Sequence, residues 1–185
     1  MTNPKVHELM KEYTRSGKKI TDMDRVLDCV VRGVYVITTN YEGEINGMSA
    51  AMYSRVSSDP VYVMVGVWHQ NYSNALIKKA GCFAINVLAE DNVDLAKHFG
   101  RHSKREVDKF KRQDIYWETK VTGSPILLDA LAYMDCKLIE ALETPGGDHT
   151  MCIGEVLDAG FLREAEPLLY RREDYPYRVL KFEDE

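Results

Sequence analysis

The chain has 185 residues, of which 45% are hydrophobic and 29% charged, and its formal net charge is −5. These values are typical of one globular domain with a proper core. The acidic balance argues against a nucleic-acid-binding surface, and no apolar run approaches the ~18 residues of a transmembrane helix. Residues 1–19 also lack the apolar core of a signal peptide, so we expect a cytoplasmic protein that contacts neither nucleic acid nor membrane.

The cysteines and histidines do not form the pattern of a metal site. The four cysteines are far apart in apolar segments, without a Cys-x-x-Cys pair: Cys29, Cys82, Cys136 and Cys152. We expect them to be reduced, buried, small hydrophobic residues. His98 and His102 are four residues apart, but the glycine between them is typical of a helix ending. The sequence therefore predicts no bound metal.

Helical periodicity predicts two helices at the N-terminus. Residues 3–15 repeat apolar side chains at helical spacing, and residues 26–31 do so again. Asp22 or Asp24 is suited to cap the second helix, and Gly33 is suited to end it. We expect residues 1–21 to be a helical extension and residues 22–185 to be the main domain.

Five or six strands follow, with two short helices among them. The helices are predicted at 73–81 and 90–100, and each ends in a glycine. Apolar alternation and β-branched residues predict the strands, and the second of them follows the turn 41–44. The strand segments are "GVYVITT" (33–39), "INGMSAAMYS" (45–54), "DPVYVMVGV" (59–67), "CFAINVL" (82–88), "LAYMDCKLIEALE" (131–143) and "HTMCIGEVLDAGF" (149–161).

The shortage of helices indicates the fold class. A parallel doubly wound sheet needs a crossover helix after nearly every strand, and this chain has too few. We therefore predict a mainly β protein, an antiparallel barrel with short peripheral helices at its rim. The Gly-x-Gly-x-x-Gly sequence of a dinucleotide-binding turn is also missing, so a nucleotide-like cofactor would bind by another geometry.

Three polar segments stand out between the apolar strands. Residues 44–60 are rich in small side chains that let a flat ligand approach the backbone. Asn71 or Ser73 stands at a helix start that favours a phosphate. Residues 101–112 carry six cations that could also meet a phosphate: Arg101, Lys104, Arg105, Lys109, Lys111 and Arg112. Each segment also has an ordinary interpretation, as a bulged strand, a helix cap and a solvated helix face.

The order of these segments resembles that of a known family. "RGVYVITT", "GEINGMSAAMYSRVSSDP", "NYSNALI", "CFAINVLAED", "LAKHFG", "VDKF" and "GDHTMCIGEV" follow one another as in the flavin reductase-like FMN-binding family. The resemblance covers roughly residues 22–181 and is nearest to the flavoredoxins and the NAD(P)H:flavin oxidoreductases of two-component monooxygenases. It implies the antiparallel split β-barrel, bound FMN, and a homodimer with the flavin near the subunit interface.

Individual positions match the family's motifs. The resemblance implies that the first loop lines the isoalloxazine ring, through Asn46, Gly47, Met48, Ser49, Ala50, Ala51 and Met52. Ser73 and Asn71 would bind the phosphate end, with Lys109 as a nearby cation, and Phe99 and Gly100 would pack beside the flavin. Residues 49–52 read Ser-Ala-Ala-Met, where relatives often carry more hydroxyls and amides, so the backbone would have to contact more of the flavin edge.

His149 is the histidine of the family's Gly-Asp-His motif. By itself, a histidine in the hairpin "TPGGDH" could be a solvated loop residue; the resemblance places it where nicotinamide stacks on the flavin. The protein would then be a flavin reductase, in which NAD(P)H reduces FMN and electrons pass to free flavin, ferric chelates or a redox partner protein. The alternatives are a flavoredoxin-like electron carrier without a pyridine-nucleotide site, and a barrel that has lost FMN.

Overall fold

The computed structural model describes residues 19–171. The helix predicted at 3–15 lies outside the described residues. The chain divides into two compact units, one made of residues 1–31 with 170–185 and the other of residues 32–169. The boundary that the sequence suggested after residue 21 stays a prediction.

In the first unit, helix α1 covers Asp22–Asp28. Its N-cap is Thr21 and not an aspartate as predicted, because Thr21 and Asp24 form a capping box: the Thr21 N–H donates to the Asp24 carboxylate (2.8 Å), and the Asp24 N–H donates to the Thr21 hydroxyl (3.3 Å). The helix also ends well before Gly33, since the Cys29 N–H bonds to the Val26 carbonyl and tightens the last turn. Cys29 is exposed, contrary to prediction, beside a helix that buries none of its residues.

The second unit is built on nine strands within the described residues. Seven belong to the main sheet, and β6 and β7 form a separate pair. The strands are β1 (Tyr35–Tyr41), β2 (Glu44–Ala50), β3 (Tyr53–Ser58), β4 (Val61–Trp68), β5 (Cys82–Val87), β6 (Trp117–Thr119), β7 (Pro125–Leu127), β8 (Ala132–Glu143) and β9 (His149–Phe161).

The prediction of five or six strands was therefore too low. The segment 45–54, expected as one strand, is divided at residues 51–52 into β2 and β3. The β6–β7 pair lies in a stretch that had looked merely polar, and all three β6 residues are exposed. The three residues of β7 are all buried, so neither strand shows the apolar alternation by which strands are found in a sequence.

All ladders of the main sheet are antiparallel, in the order β2-β1-β5-β8-β9-β4-β3. In a flat sheet the edges β2 and β3 would lie about 29 Å apart, since neighbouring strands are about 4.8 Å apart. Only residues 51–52 connect those edges, a link that spans on the order of 11 Å. The sheet must therefore curve back on itself. Within residues 19–171 no ladder joins β2 to β3, so the curved sheet stays split there.

Two short helices and a 3₁₀ turn join the strands. They are α2 (Tyr72–Ala80), α3 (Val93–Arg101) and the turn Lys109–Lys111. Gly81 ends α2 in the left-handed conformation (φ 65°), as predicted. Helix α3 continues past Gly100 to Arg101, however, because Gly100 is not among the glycines with positive φ and does not act as a left-handed stop.

The core lies on the inner face of the curved sheet. Its buried side chains come from six strands and α2: Ile37, Met48, Val63, Val65, Val67, Ile77, Phe83, Ile85, Cys136 and Cys152. Gly154 in β9 leaves room for Phe83, because a Cβ at this position would lie 2.6 Å from the phenyl ring. The predicted mainly β, antiparallel architecture with short helices is confirmed. No helix within residues 19–171 combines the length and apolarity needed to cross a membrane.

Candidate functional site

Strand β2 is where the three polar segments of the sequence meet. Asn46 contacts the start of α2, Gly47 contacts both the end of α3 and the 3₁₀ turn, and the Ser49 hydroxyl donates to the Ala96 carbonyl of α3 at 2.6 Å. The segments that contribute these contacts lie up to 62 residues apart in sequence. The fold therefore assembles one polar region from segments that sequence analysis considered separately.

Asn46 is the most unusual side chain of this region. It is 1% exposed, and its Nδ2 donates to the Ser73 hydroxyl at 2.9 Å. Its Oδ1 is buried and has no hydrogen-bond partner among the described residues. Turning the amide over would leave Nδ2 unpaired instead, because only one end can face Ser73. A buried polar atom without a partner is costly and needs an explanation.

The start of α2 lies directly beside Asn46. Ser73 is buried in its first turn, which contains no acidic residue. Asn71 is the N-cap, but its side chain makes no capping hydrogen bond and its Nδ2 instead approaches the Met48 sulfur at 3.4 Å. A helix N-terminus presents N–H groups and partial positive charge. Here neither an N-cap side chain nor a carboxylate in the first turn compensates for them.

Lys109 lies beneath β2 and not in an open groove. The side chain is 3% exposed, and Nζ donates to the Gly47 carbonyl and, at 3.5 Å, to the Phe99 carbonyl. Burial, assisted by the charge of Lys104, lowers the pKa of Lys109 to about 8. The ammonium thus connects the 3₁₀ turn to β2 and α3. Its predicted contact with a phosphate stays a prediction.

Phe99 and Gly100 pack α3 against β2. The Phe99 ring is 1% exposed and covers Gly47, where a Cβ would lie 2.8 Å from the ring. A glycine is therefore required at position 47 by close approach. Gly100 faces Ser49, and a Cβ at position 100 would lie 3.5 Å from the serine Cβ. These predicted site residues do lie together.

The end of β2 is less polar than its start. Met48 is buried in the core, and Ala50 packs against the core from the side. Ala51 is half-buried in the link to β3, and Met52 is 48% exposed and covers Gly66 of β4. None of these side chains carries a hydroxyl or an amide, so a polar ligand edge at this point would have to meet backbone groups.

His149 begins β9, beside the end of β4. It pairs with Trp68, whose carbonyl accepts the N–H of Asn71 at 3.0 Å. The histidine is therefore connected through one residue to the start of α2. Its Nδ1 lies 2.5 Å from the Asp148 carboxylate, a hydrogen bond that lowers the pKa of Asp148. The Thr144 hydroxyl donates to the His149 carbonyl at 2.7 Å and fixes the backbone.

A second polar cluster, centred on Glu143, was missed by sequence reasoning. Its carboxylate contacts Lys78 of α2, His69 Nε2 at 2.6 Å and the Thr150 hydroxyl at 3.0 Å. Thr150 in turn accepts a bond from Asn74 Nδ2 at 2.7 Å. The cluster therefore joins α2 to the hairpin that carries His149. Lys78 and Glu143 are 65 residues apart in sequence, so no local spacing could have indicated the contact.

Comparison with known proteins identifies the fold's relatives. The family model described as "Flavin reductase like domain" matches residues 27–177. The "Flavin-dependent monooxygenase, reductase subunit HsaB" of Rhodococcus jostii is 35% identical over 150 residues, which cover 81% of this chain and 73% of the relative. The "Ferric-chelate reductase (NAD(P)H)" of Archaeoglobus fulgidus is 29% identical over 140 residues, covering 75% of this chain and 80% of the relative.

A solved structure gives the same result. The NADH:FAD oxidoreductase SgcE6 of Streptomyces globisporus superposes with a TM-score of 0.73 and 28% identity, over 82% of this chain and 88% of that one. The family match extends over most of the chain and agrees with the resemblance seen in the order of the polar segments. The chain belongs to the flavin reductase like domain family.

Proposed function

We propose that the protein is a flavin reductase that binds FMN and uses NAD(P)H as its electron donor. The observation that carries the proposal is the buried amide of Asn46, which has one unpaired polar atom beside the start of α2. A ligand with hydroxyl and phosphate groups would satisfy both features. The family membership of the chain and the names of its relatives support the same conclusion.

The residues around β2 fit FMN in their chemistry. Asn46, Ser73 and Asn71 would hold its polar end, and the backbone of residues 47–52 would meet the ring, with Phe99 and Gly100 behind it. When bound, FMN would supply the redox chemistry, accepting a hydride and passing electrons onward. The task of the chain is to hold, orient and shield the reacting ring.

His149 would position the nicotinamide. Asp148 accepts a hydrogen bond from Nδ1 of the histidine, which leaves Nε2 as an acceptor in the neutral ring. Nε2 could accept an N–H from the nicotinamide carboxamide or from the flavin. This role needs no proton transfer, because hydride transfer occurs between the two cofactor rings.

The relatives suggest where the electrons go. One is named as the reductase subunit of a flavin-dependent monooxygenase, and another as a ferric-chelate reductase. We therefore propose free flavin, a ferric chelate or a partner oxygenase as the acceptor. The flavoredoxin-like carrier is the alternative, and it differs from the reductase in having no reaction with pyridine nucleotides.

We also propose that the protein is a homodimer. Met64, Met151, Ile153 and Leu142 lie side by side on β4, β9 and β8, opposite the face that forms the core, and we call them the outer sheet face. Leu142 is 43% exposed and the other three are half-buried. Glu140 of β8 pairs with Ile153 and borders these four side chains. An apolar patch with a charged border of this kind is suited to association with a second copy. The flavin would lie near that interface.

Purified protein tests the proposed activity directly. We expect FMN absorbance of about one flavin per chain after reconstitution, and anaerobic bleaching on addition of NADH or NADPH. If dithionite bleaches the flavin but neither NADH nor NADPH does, the flavoredoxin-like carrier is favoured. If equilibrium dialysis detects no FMN binding tighter than millimolar, the protein is not a flavoprotein.

A further inference from the structure

Four of the six cations of residues 101–112 have a specific neighbour in the fold. Lys104 forms an ion pair with Asp108 at 3.1 Å, and Arg112 forms one with Asp114 at 2.5 Å. Lys109 is buried against two backbone carbonyls. These three cations already have specific partners, so they are not well placed to neutralise an incoming anion.

Arg105 differs from them. Its side chain is exposed, and its guanidinium carbon lies 5.8 Å from the centre of the Tyr72 ring. Tyr72 is the first residue of α2 and follows the N-cap Asn71. Within residues 19–171 no carboxylate forms an ion pair with Arg105. The segment therefore brings one cation, without a carboxylate partner, to the start of α2.

The same end of α2 lacks negative charge of its own. Its first turn has no acidic residue, and Asn71 makes no capping hydrogen bond. Glu44 is the neighbouring carboxylate and keeps its charge, but it is held at the far end of the Tyr72 ring, where the phenol hydroxyl donates to it at 2.6 Å. The buried Asn46 lies beside Ser73 of this turn, and its unpaired atom is the acceptor Oδ1. That atom calls for a hydroxyl donor of the same ligand and not for its phosphate.

The start of α2, the Ser73 hydroxyl and the Arg105 guanidinium together match a phosphate monoester. A helix N-terminus donates backbone N–H groups to phosphate oxygens, and a guanidinium can donate two parallel hydrogen bonds to the same group. Contact between an exposed guanidinium and a tyrosine ring is weak, so Arg105 can exchange it for a phosphate at little cost. An arginine at this place can therefore complete a phosphate site that α2 and Ser73 begin.

We propose that Arg105 binds the phosphate of FMN and sets the preference for FMN over riboflavin, while Lys109 holds β2 in place without touching the phosphate. The proposal rests on the proposed function, because it concerns the same flavin site. Arg105, which lies outside the family's "VDKF" motif at 107–110, would then neutralise the phosphate in place of Lys109.

The test is a comparison of flavin affinities by fluorescence titration. FMN and riboflavin are titrated against wild type, Arg105→Ala, Arg105→Lys, Lys109→Met and the control Arg101→Ala, which removes an exposed arginine from the same segment. We expect Arg105→Ala to weaken FMN binding by roughly 10- to 100-fold, as for loss of a charge-assisted hydrogen bond, and to leave riboflavin unchanged. Arg105→Lys should retain part of the preference, and Arg101→Ala all of it.

Lys109→Met should weaken both flavins by similar factors, because it disturbs β2 and not the phosphate. Thermal melts of each variant show whether it is folded. The proposal is overturned if wild type prefers FMN and Arg105→Ala keeps that preference, or if wild type binds both flavins equally. If wild type binds neither flavin, the proposed function fails as well, so the two failures can be told apart.

Discussion

The ammonium of Lys109 is buried, and its hydrogen bonds compensate only partly for the hydration that it loses. Two carbonyls accept from its ammonium, but within residues 19–171 no carboxylate does. Its pKa is lowered from 10.5 to about 8 by burial. A lysine whose pKa is lower in the folded than in the unfolded chain loses its proton first in the folded state, so folding becomes more favourable as pH rises through that interval.

This difference predicts how stability depends on pH. Between pH 7 and pH 9, Lys109 should add about 1 kcal/mol to the free energy of unfolding of wild type, because the folded chain releases the proton near pH 8 and the unfolded chain only near 10.5. Lys109→Met lacks this gain. Urea unfolding of both proteins at the two pH values measures it, and the other titrating groups cancel in the difference. If the free energy of unfolding changes equally with pH in wild type and in Lys109→Met, Lys109 is not buried as described.

Substitution of His149 tests its proposed role in positioning the nicotinamide. If it positions the nicotinamide, His149→Ala should slow anaerobic reduction of FMN by NAD(P)H about tenfold or more, since small misplacements of reacting rings are costly in rate. FMN occupancy should stay nearly unchanged. Stopped-flow absorbance measures the rate, and reduction by dithionite, which needs no nicotinamide site, serves as the control. A variant as fast as wild type would show that His149 is an ordinary loop residue.

At the scale of elements, the packing between β9 and β5 requires a glycine, because Gly154 of β9 leaves room for the Phe83 ring of β5. Gly154→Ala would place a methyl group 2.6 Å from the buried Phe83 ring and 3.0 Å from the Cys136 side chain. Such overpacking should lower the free energy of unfolding by about 1–3 kcal/mol. Gly100→Ala is the matched control, because its Cβ would meet Ser49 at an ordinary 3.5 Å in a helix that favours alanine.

Coupling between the two positions gives a sharper measurement. Phe83→Leu frees space beside Gly154, so the double variant should be less destabilised than the sum of the two single variants. Urea unfolding of the four proteins forms a double-mutant cycle. Strict additivity would mean that the core relaxes elsewhere and that Phe83 is not what requires the glycine.

At the scale of the whole molecule, association should depend on the outer sheet face. Ile153 lies on that face opposite Met64, so Ile153→Glu should convert the proposed dimer to a monomer by placing a charge in an apolar contact. Size-exclusion chromatography with light scattering measures the mass. Val121→Glu, at a residue that is 64% exposed outside the strands, is the control and should stay dimeric. A wild-type protein that is monomeric at micromolar concentration would contradict the proposal.

The sequence by itself indicated most strands of the main sheet and the polar segments that the fold brings together at β2. The hairpin predicted at 131–143 and 149–161 agrees with β8 and β9 almost residue for residue. Alternation with period two reports directly which face of a strand is buried, so it can be interpreted locally. The order of polar segments likewise identified the family that the match confirms.

Only the tertiary structure decided where individual side chains point. Sequence spacing could not show that Lys109 turns inward to Gly47, that Arg105 lies over Tyr72, or that Glu143 joins α2 to the hairpin. It also placed the cap of α1 wrongly and missed the division between β2 and β3. The physical reason is that these features depend on partners brought together by the curvature of the sheet, and a charged side chain takes the orientation that its partners distant in sequence stabilise.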